Sequence, residues 1–362
     1  VPGWGTVYVA DTNLLSNLPL NNQFAGVVLR CGARTNWSVA QWTLTNNSLR
    51  LTPDGFVLDV AGDLVVGANA RLGVEGTIAC GGSLTLTNGG RLSVYSGPTN
   101  AAGPDWGALV QVANDLQIGE NSWLQPHSHP VNGGGVLLRV RNLAITGTNA
   151  GLNAMGRGYA NGQGPGKGTG VTYYGGGGGH GGKGGATTYG TGGATNGNPY
   201  GPVSAGSGGG GGVGYRGAGY GGGLIRVEAS GDVSMRGQLV ANGCAGVHFY
   251  IYGGCGSGGG LLVSCARFAG TTNALLSAKG ASAPSAGGGG GGRIAVWYNR
   301  MPESRQARLL AGNTQGVAKS TNAVETYAGS VTVAAGTPGS PAPDPGTVWF
   351  IFYRQGTVVL LR

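Results

Sequence analysis

Residues 63–76 read DLVVGANARLGVEG, and residues 83–97 read SLTLTNGGRLSVYSG. Leu64, Val66, Leu72 and Val74 fall on Leu84, Leu86, Leu92 and Val94, an offset of 20. DLQIGENSWLQP at 115–126 repeats the shape at an offset of 52, and WTLTNNSLRL at 42–51 does so one residue shorter. Within each segment apolar and polar residues alternate, the period of a strand with one face in a core and the other in water. One such unit cannot bury its inner face alone, and stacked copies complete the core. An antiparallel sandwich also needs many short strands, but it does not predict recurrence of a whole strand–turn–strand–turn–strand unit. The expectation is an all-β parallel β-helix, or β-solenoid, with about three short strands per coil and roughly eight coils or more. Leu64, Leu84, Val66, Leu86, Leu72 and Leu92 should point inward in neighbouring coils.

A first strand precedes each of these pairs: FVLDVAGDL at 56, ALVQVANDL at 108, VLLRVRNL at 136 and LIRVEASGDV at 224. Later third strands read LNAMG at 152, LVANG at 239 and LLSAKG at 275. The corners NNS, GAN and NGG use residues that tolerate left-handed backbone angles.

Eighty of the 362 residues are glycine. That excludes an all-helical chain, since glycine costs about 1 kcal/mol at each interior helix position. The glycines keep no three-residue period, which excludes collagen. A hydrophobic fraction of 40% argues against disorder. The long runs recur at one point of the repeat. Those at 175–185, 206–223, 253–260 and 287–292 each leave one coil, and the last three lead straight into a first strand. Lacking Cβ atoms, such runs can lie side by side as extended threads and hydrogen-bond laterally. The alternative is ordered loops held by Tyr159, Tyr173, Tyr174, Tyr189, Tyr200, Tyr215 and Tyr220. The expected organisation is N-terminal coils at 1–154, a glycine-rich insertion packed on them at 155–222, C-terminal coils at 223–333, a Pro-rich tether at 334–346 and a terminal apolar strand region at 347–362, serving either as a cap on its own chain or as an intersubunit strand.

The net charge is +9, mostly from scattered arginines, with no stripe or tail suited to nucleic acid. No apolar run reaches the roughly 18 residues of a transmembrane helix. No signal peptide is read, and a start at Val1 suggests a processed chain. Of five cysteines, Cys244 and Cys255 lie eleven apart in a glycine-rich stretch and are the candidate disulfide.

Chemistry-bearing constellations are sparse. His127 and His129 form HSH without a nearby carboxylate or cysteine, and read as a solvated turn rather than a metal site. His180 and His248 read as packing or surface residues. Asp59, Asp63, Asp54, Asp105, Asp115, Glu228 and Asp232 include the candidates for a glycosidase-like carboxylate pair, but turn capping and surface charge are the ordinary roles of such residues and the favoured reading. There is no GK[ST] after the glycines and no nucleophile elbow. No catalytic, cofactor-binding or metal-binding residue is assigned, and no cofactor is expected. Trp37, Trp106, Trp123, Tyr173 and Tyr174 form a candidate sugar-stacking set.

The coil consensus, GGG[VL][LI][LR]V followed by LxI and LxAxG, resembles glycine-rich secreted bacterial β-helix proteins: passenger-type adhesins, envelope repeats and the wider pectate-lyase-like fold class. The resemblance covers roughly residues 24–300. It implies a parallel β-helix outside the cell or on its surface. The lyases of that class use a clustered acid and arginine site with calcium, and no such cluster can be matched by position.

The chain is accordingly expected to be an extracellular structural or adhesive protein, a self-assembling fibre subunit joined end to end. Val7, Tyr8 and Val9 would meet Trp349, Phe350 and Phe352 of a neighbouring copy, and no amphipathic helix caps either end. The alternatives are a carbohydrate-active enzyme (a polysaccharide hydrolase or lyase) or glycan-binding module, and a phage or envelope adhesion tip. Expected partners are further copies of the chain, with glycan or cell-surface contact, and no nucleic acid.

Overall fold

The computed structural model describes residues 5–8, 20–21, 25–30, 35–100, 102–170, 174–211, 217–246 and 253–353. Val9, Tyr173, Tyr215, His248, residues 212–216 and residues 354–362 lie outside them. The protein is nearly all β, and its sheets are parallel.

The strands form three rows. One holds Leu20–Asn21, Trp42–Thr45, Leu64–Val66, Leu84–Leu86, Asp115–Ile118, Asn142–Ile145, Asp232–Met235 and Arg267–Gly270, each parallel to the next. A second runs from Asn36–Val39 through Ala108–Val112, Val136–Val140, Leu224–Ala229, Gly260–Ser264 and Arg293–Tyr298 to Thr347–Phe352. The third runs from Gly5–Tyr8 through Arg91–Tyr95 and Trp123–His127 to Leu275–Ser277 and Ser330–Thr332. Ser48–Val60 and Arg71–Cys80 serve the third row with their first halves and the second row with their last.

The sequence offset is the physical register. Leu64 pairs with Leu84, Val66 with Leu86 and Leu72 with Leu92, all buried in one core. Leu116 and Ile118 continue the ladder beyond Leu84 and Leu86. At the corners Asn46, Asn69, Asn88 and Asn121 adopt φ between 52° and 58°, conformations asparagine tolerates better than most residues. Asn149 Nδ2 donates to Asn121 Oδ1 at 2.8 Å, tying one corner to the next.

The glycine segments pack as threads. Along 175–180, hydrogen bonds reach residues 166–169, 182–185, 193–196, Gly210, Cys255 and 287–290. Bonds to a given neighbour recur every third residue. Gly287 and Gly290 N–H donate to Gly175 and Gly178 O, and Gly176 and Gly179 N–H donate to Thr169 and Gly166 O. Gly219 and Gly222 donate in the same rhythm to Gly254 and Ser257. Three residues per turn is the repeat of an extended polyproline-type thread, which makes no internal bonds and turns successive peptide groups toward different neighbours. A Cβ on Gly177 would overlap Gly288 O, and one on Gly289 would overlap Gly256 O.

The proline-rich stretch joins this packing rather than hanging as a tether. Gly288 and Gly291 N–H donate to Pro338 and Asp344 O, and Gly336 N–H donates to Gly289 O. Cys244 and Cys255 are separate thiols, not a disulfide. Their threads touch, Gly256 N–H donating to Cys244 O at 2.9 Å, but their side chains serve different neighbours. The Cys244 thiol fills the space beside Gly156, whereas Cys255 packs with Ala283 and Ala286. Burial raises both thiols, Cys255 to about 11.

At the C-terminal end the structure takes the cap alternative over the intersubunit strand. Phe350 is fully buried in this chain's own core, because Thr347–Phe352 lies parallel to Arg293–Tyr298. Its other edge is covered by Ala318–Ser320, antiparallel to residues 350–352. Phe350 and that edge are therefore occupied within the chain and not offered to a neighbour. Near this end the helix Glu303–Leu310 lays Leu309 against Trp297, Met301 and Ile351, covering the outer face of the second row.

Candidate functional site

Residues facing outward from the second row stand in register, one per strand. Asp59, Ala79, Gln111, Arg139, Glu228 and Ser264 make one line. Beyond Ser264 the line becomes Trp297 and Ile351, which the helix covers. The uncovered part is a groove of about 670 Å³, lined by Gln111, Arg139, Arg141, Glu228, Ser264, Glu303 and Gln306 among others.

An ion-pair network organises its wall. Arg226, buried to 4% exposure, donates from Nη1 to Asp105 Oδ2 at 2.7 Å and from Nη2 to Glu228 Oε1 at 2.8 Å. Arg139 Nε donates to the other Glu228 oxygen at 2.9 Å. Asp105 and Trp106 come from the excursion between Arg91–Tyr95 and Ala108–Val112. The Trp106 ring centre lies 4.8 Å from the Arg139 guanidinium and 5.9 Å from that of Arg226. Both Glu228 oxygens accept from guanidiniums, which fixes this carboxylate in place. The arrangement holds Arg139 and Glu228 of the groove wall in fixed positions, with the Trp106 indole against the Arg139 guanidinium.

A second cavity, of about 430 Å³, is lined by Asp232, Arg267, Phe268, Tyr298, Asn299 and Phe352 among others. Phe352 and Tyr298 rings lie 5.4 Å apart there, and Arg267 Nη2 donates to Asp232 Oδ2 at 2.6 Å.

The other sequence candidates are scattered. Val7 and Tyr8 are exposed, at 37% and 67%, far along the rows from half-buried Trp349, which packs on Tyr200. Trp37 is buried edge-on against Trp42, so it is no sugar platform. Trp123 and Tyr174 are half-buried. Asp63 Oδ1 accepts the Ser83 N–H, and Asp115 pairs with Arg141 and Asn142, both capping or surface roles. Among the described residues no group of three or more His, Cys, Asp or Glu is placed to hold a metal, and no helix is long and apolar enough to cross a membrane.

His127 is not a solvated turn. Its ring stacks on Tyr95 at 4.3 Å, and its Nε2 accepts from Arg157 Nε at 3.1 Å, which requires that nitrogen to be unprotonated. Burial, and then Arg157 and Arg50, lower its pKa to about 3. His129 caps a turn, its Nδ1 accepting the Asn132 N–H at 3.0 Å. His180 is fully buried in the glycine threads, with Nδ1 3.1 Å from Gly258 O and Nε2 3.1 Å from Ser204 Oγ. Burial, and then Arg293, lower it to about 4. Unfolding restores both rings to about 6.5, so the unfolded chain binds more protons as pH falls from there toward 4. Their contribution is complete above about pH 6.5 and is lost on acidification through the folded values. Urea unfolding of His127→Gln at stepped pH should show a stability slope between about pH 4 and 6 shallower by about 1.4 kcal/mol per pH unit than the parent's. Parallel profiles would mean that His127 titrates normally.

The chain matches no protein-family model, no curated protein and no solved structure.

Proposed function

We propose that the three rows are the sides of a β-solenoid, and that the protein is an extracellular or cell-surface adhesion module that holds an extended glycan in its second-row groove. The observation that carries this reading is the Asp105–Arg226–Glu228–Arg139 network with Trp106 against it. It fixes polar groups in an open groove, with both oxygens of the Glu228 carboxylate engaged by guanidiniums. The strand spacing of about 4.8 Å gives a polymer a regular series of contacts. The test is a glycan array, followed by titration of the best ligand into the parent, Arg139→Gln and Trp106→Ala. Each substitution should weaken binding about 10-fold or more, the range for losing a charged hydrogen bond or a stacking face. No glycan bound, or binding indifferent to both substitutions, would end this reading.

A second reading, self-association into fibres, draws support from exposed Val7 and Tyr8 on the strand Gly5–Tyr8. With the terminal strand covered by Ala318–Ser320, a joint would use the Gly5–Tyr8 end. Light scattering of Tyr8→Ser against the parent tests it, and identical particle sizes would remove it.

A further inference from the structure

The outer face of the third row carries a second cleft with a different character. Arg71 and Arg91 are register partners on adjacent parallel strands, so two like charges stand about one strand spacing apart. Both are exposed, and neither is ion-paired among the described residues. Like charges placed directly opposite destabilise a sheet, and an anion between them would remove that cost.

One step along the same face are Arg50, Gly73, Ser93 and Gln125, again in register. The Arg50 stem crosses Gly73, where a Cβ would come within 3.1 Å of its Cγ. The Arg50 guanidinium stacks 3.9 Å from the Tyr95 ring centre and pairs with Glu75. Burial holds the Glu75 carboxyl above its ordinary range despite Arg50, and Asp54 lies beside it. Arg50 Nε is buried and has no hydrogen-bond partner. These residues enclose about 160 Å³, lined by Arg50, Arg71, Arg91, Ser93, Tyr95 and Gln125 around Leu72 and Gly73. That space suits one oxyanion and not a sugar ring. A ring has its place next door, because the Arg71–Arg91 line continues onto half-buried Trp123.

We propose that this cleft binds a sulfate group carried on a polysaccharide, with Arg71 and Arg91 holding the oxyanion and Trp123 supporting the sugar that bears it. Guanidinium forks fit such oxygens with paired hydrogen bonds. The site goes beyond the groove reading and shares no lining residue with that groove.

Calorimetric titration of the full chain at low salt tests this with dextran sulfate, polygalacturonate, inorganic sulfate and a single-stranded oligonucleotide of matched charge. Dextran sulfate should bind tightest. The double variant Arg71→Gln/Arg91→Gln should weaken it about 10–100-fold, two charge-assisted contacts being lost. Its thermal midpoint should not fall, and Arg236→Gln, an exposed arginine outside both clefts, should bind dextran sulfate as the parent does. Undiminished binding by the double variant overturns the proposal. So does an oligonucleotide or polygalacturonate bound as tightly as dextran sulfate, or binding of inorganic sulfate alone. Failure of the groove reading would appear in the Arg139 and Trp106 variants and leave this titration unchanged.

Discussion

Gly177→Ala should be among the most damaging single-methyl changes in this protein, costing on the order of 3 kcal/mol or more. Gly177 donates to Gly185 O and accepts from Gly193 N–H, both at 2.8 Å, while its Cα faces the thread at Gly288. A methyl group there has no free volume, and backbone atoms cannot rotate aside as a side chain can. Separating the threads would stretch lateral bonds that are the only hydrogen bonds such segments have. Gly119→Ala is the control. Its added Cβ would lie 3.5 Å from Leu86 O, an ordinary contact, so a change within about 0.5 kcal/mol is expected. Chemical denaturation of both variants decides the matter. Equal and small effects would mean that the threads are loosely held.

The rows were legible because burial imposes period two on a strand and stacking imposes a common register on successive strands. Leu64, Leu84 and Leu116 therefore share one place in the repeat, and they are neighbours along the row. The clustering of the glycine runs was legible from their shared position before a first strand. Which thread bonds to which was not, because glycine has no side chain to carry a pattern and the three-residue rhythm lies in the backbone alone. The groove was half-legible. Arg226 and Glu228 stand two apart on one strand, but Asp105 joins them across 121 residues through an excursion with no periodicity. The helix Glu303–Leu310 escaped notice because it buries little beyond Leu309, and its docking surface, Trp297, reads in sequence as an ordinary strand residue. The burial of His127 is hidden in the sequence for a related reason. HSH resembles a polar turn unless one knows that Tyr95, one strand away in register, supplies a stacking face.

Phe350→Ala should cost about 3–5 kcal/mol, the range for truncating a buried aromatic. Phe350 is wholly enclosed, its ring 6.4 Å from that of Phe268, which in turn stacks on Tyr327 at 5.2 Å. Tyr327 is held by its own chain, its hydroxyl donating to Ser330 O at 3.0 Å. The ring therefore sits in a cluster drawn from three separate stretches, and its removal leaves a cavity that none of them can fill without shifting a strand. The same geometry sets the concentration dependence. If Phe350 is buried within one chain, the variant's loss of stability is intramolecular, and its unfolding midpoint should be the same at protein concentrations differing tenfold. If Phe350 instead completes a joint between copies, the parent's midpoint must rise with concentration by mass action, and the variant must lose that rise. Denaturation curves for parent and variant at two concentrations separate these outcomes. Concentration-independent midpoints, with the variant lower by the stated amount, would confirm that the terminal strand closes its own chain. Any fibre would then have to be built from surfaces other than Phe350.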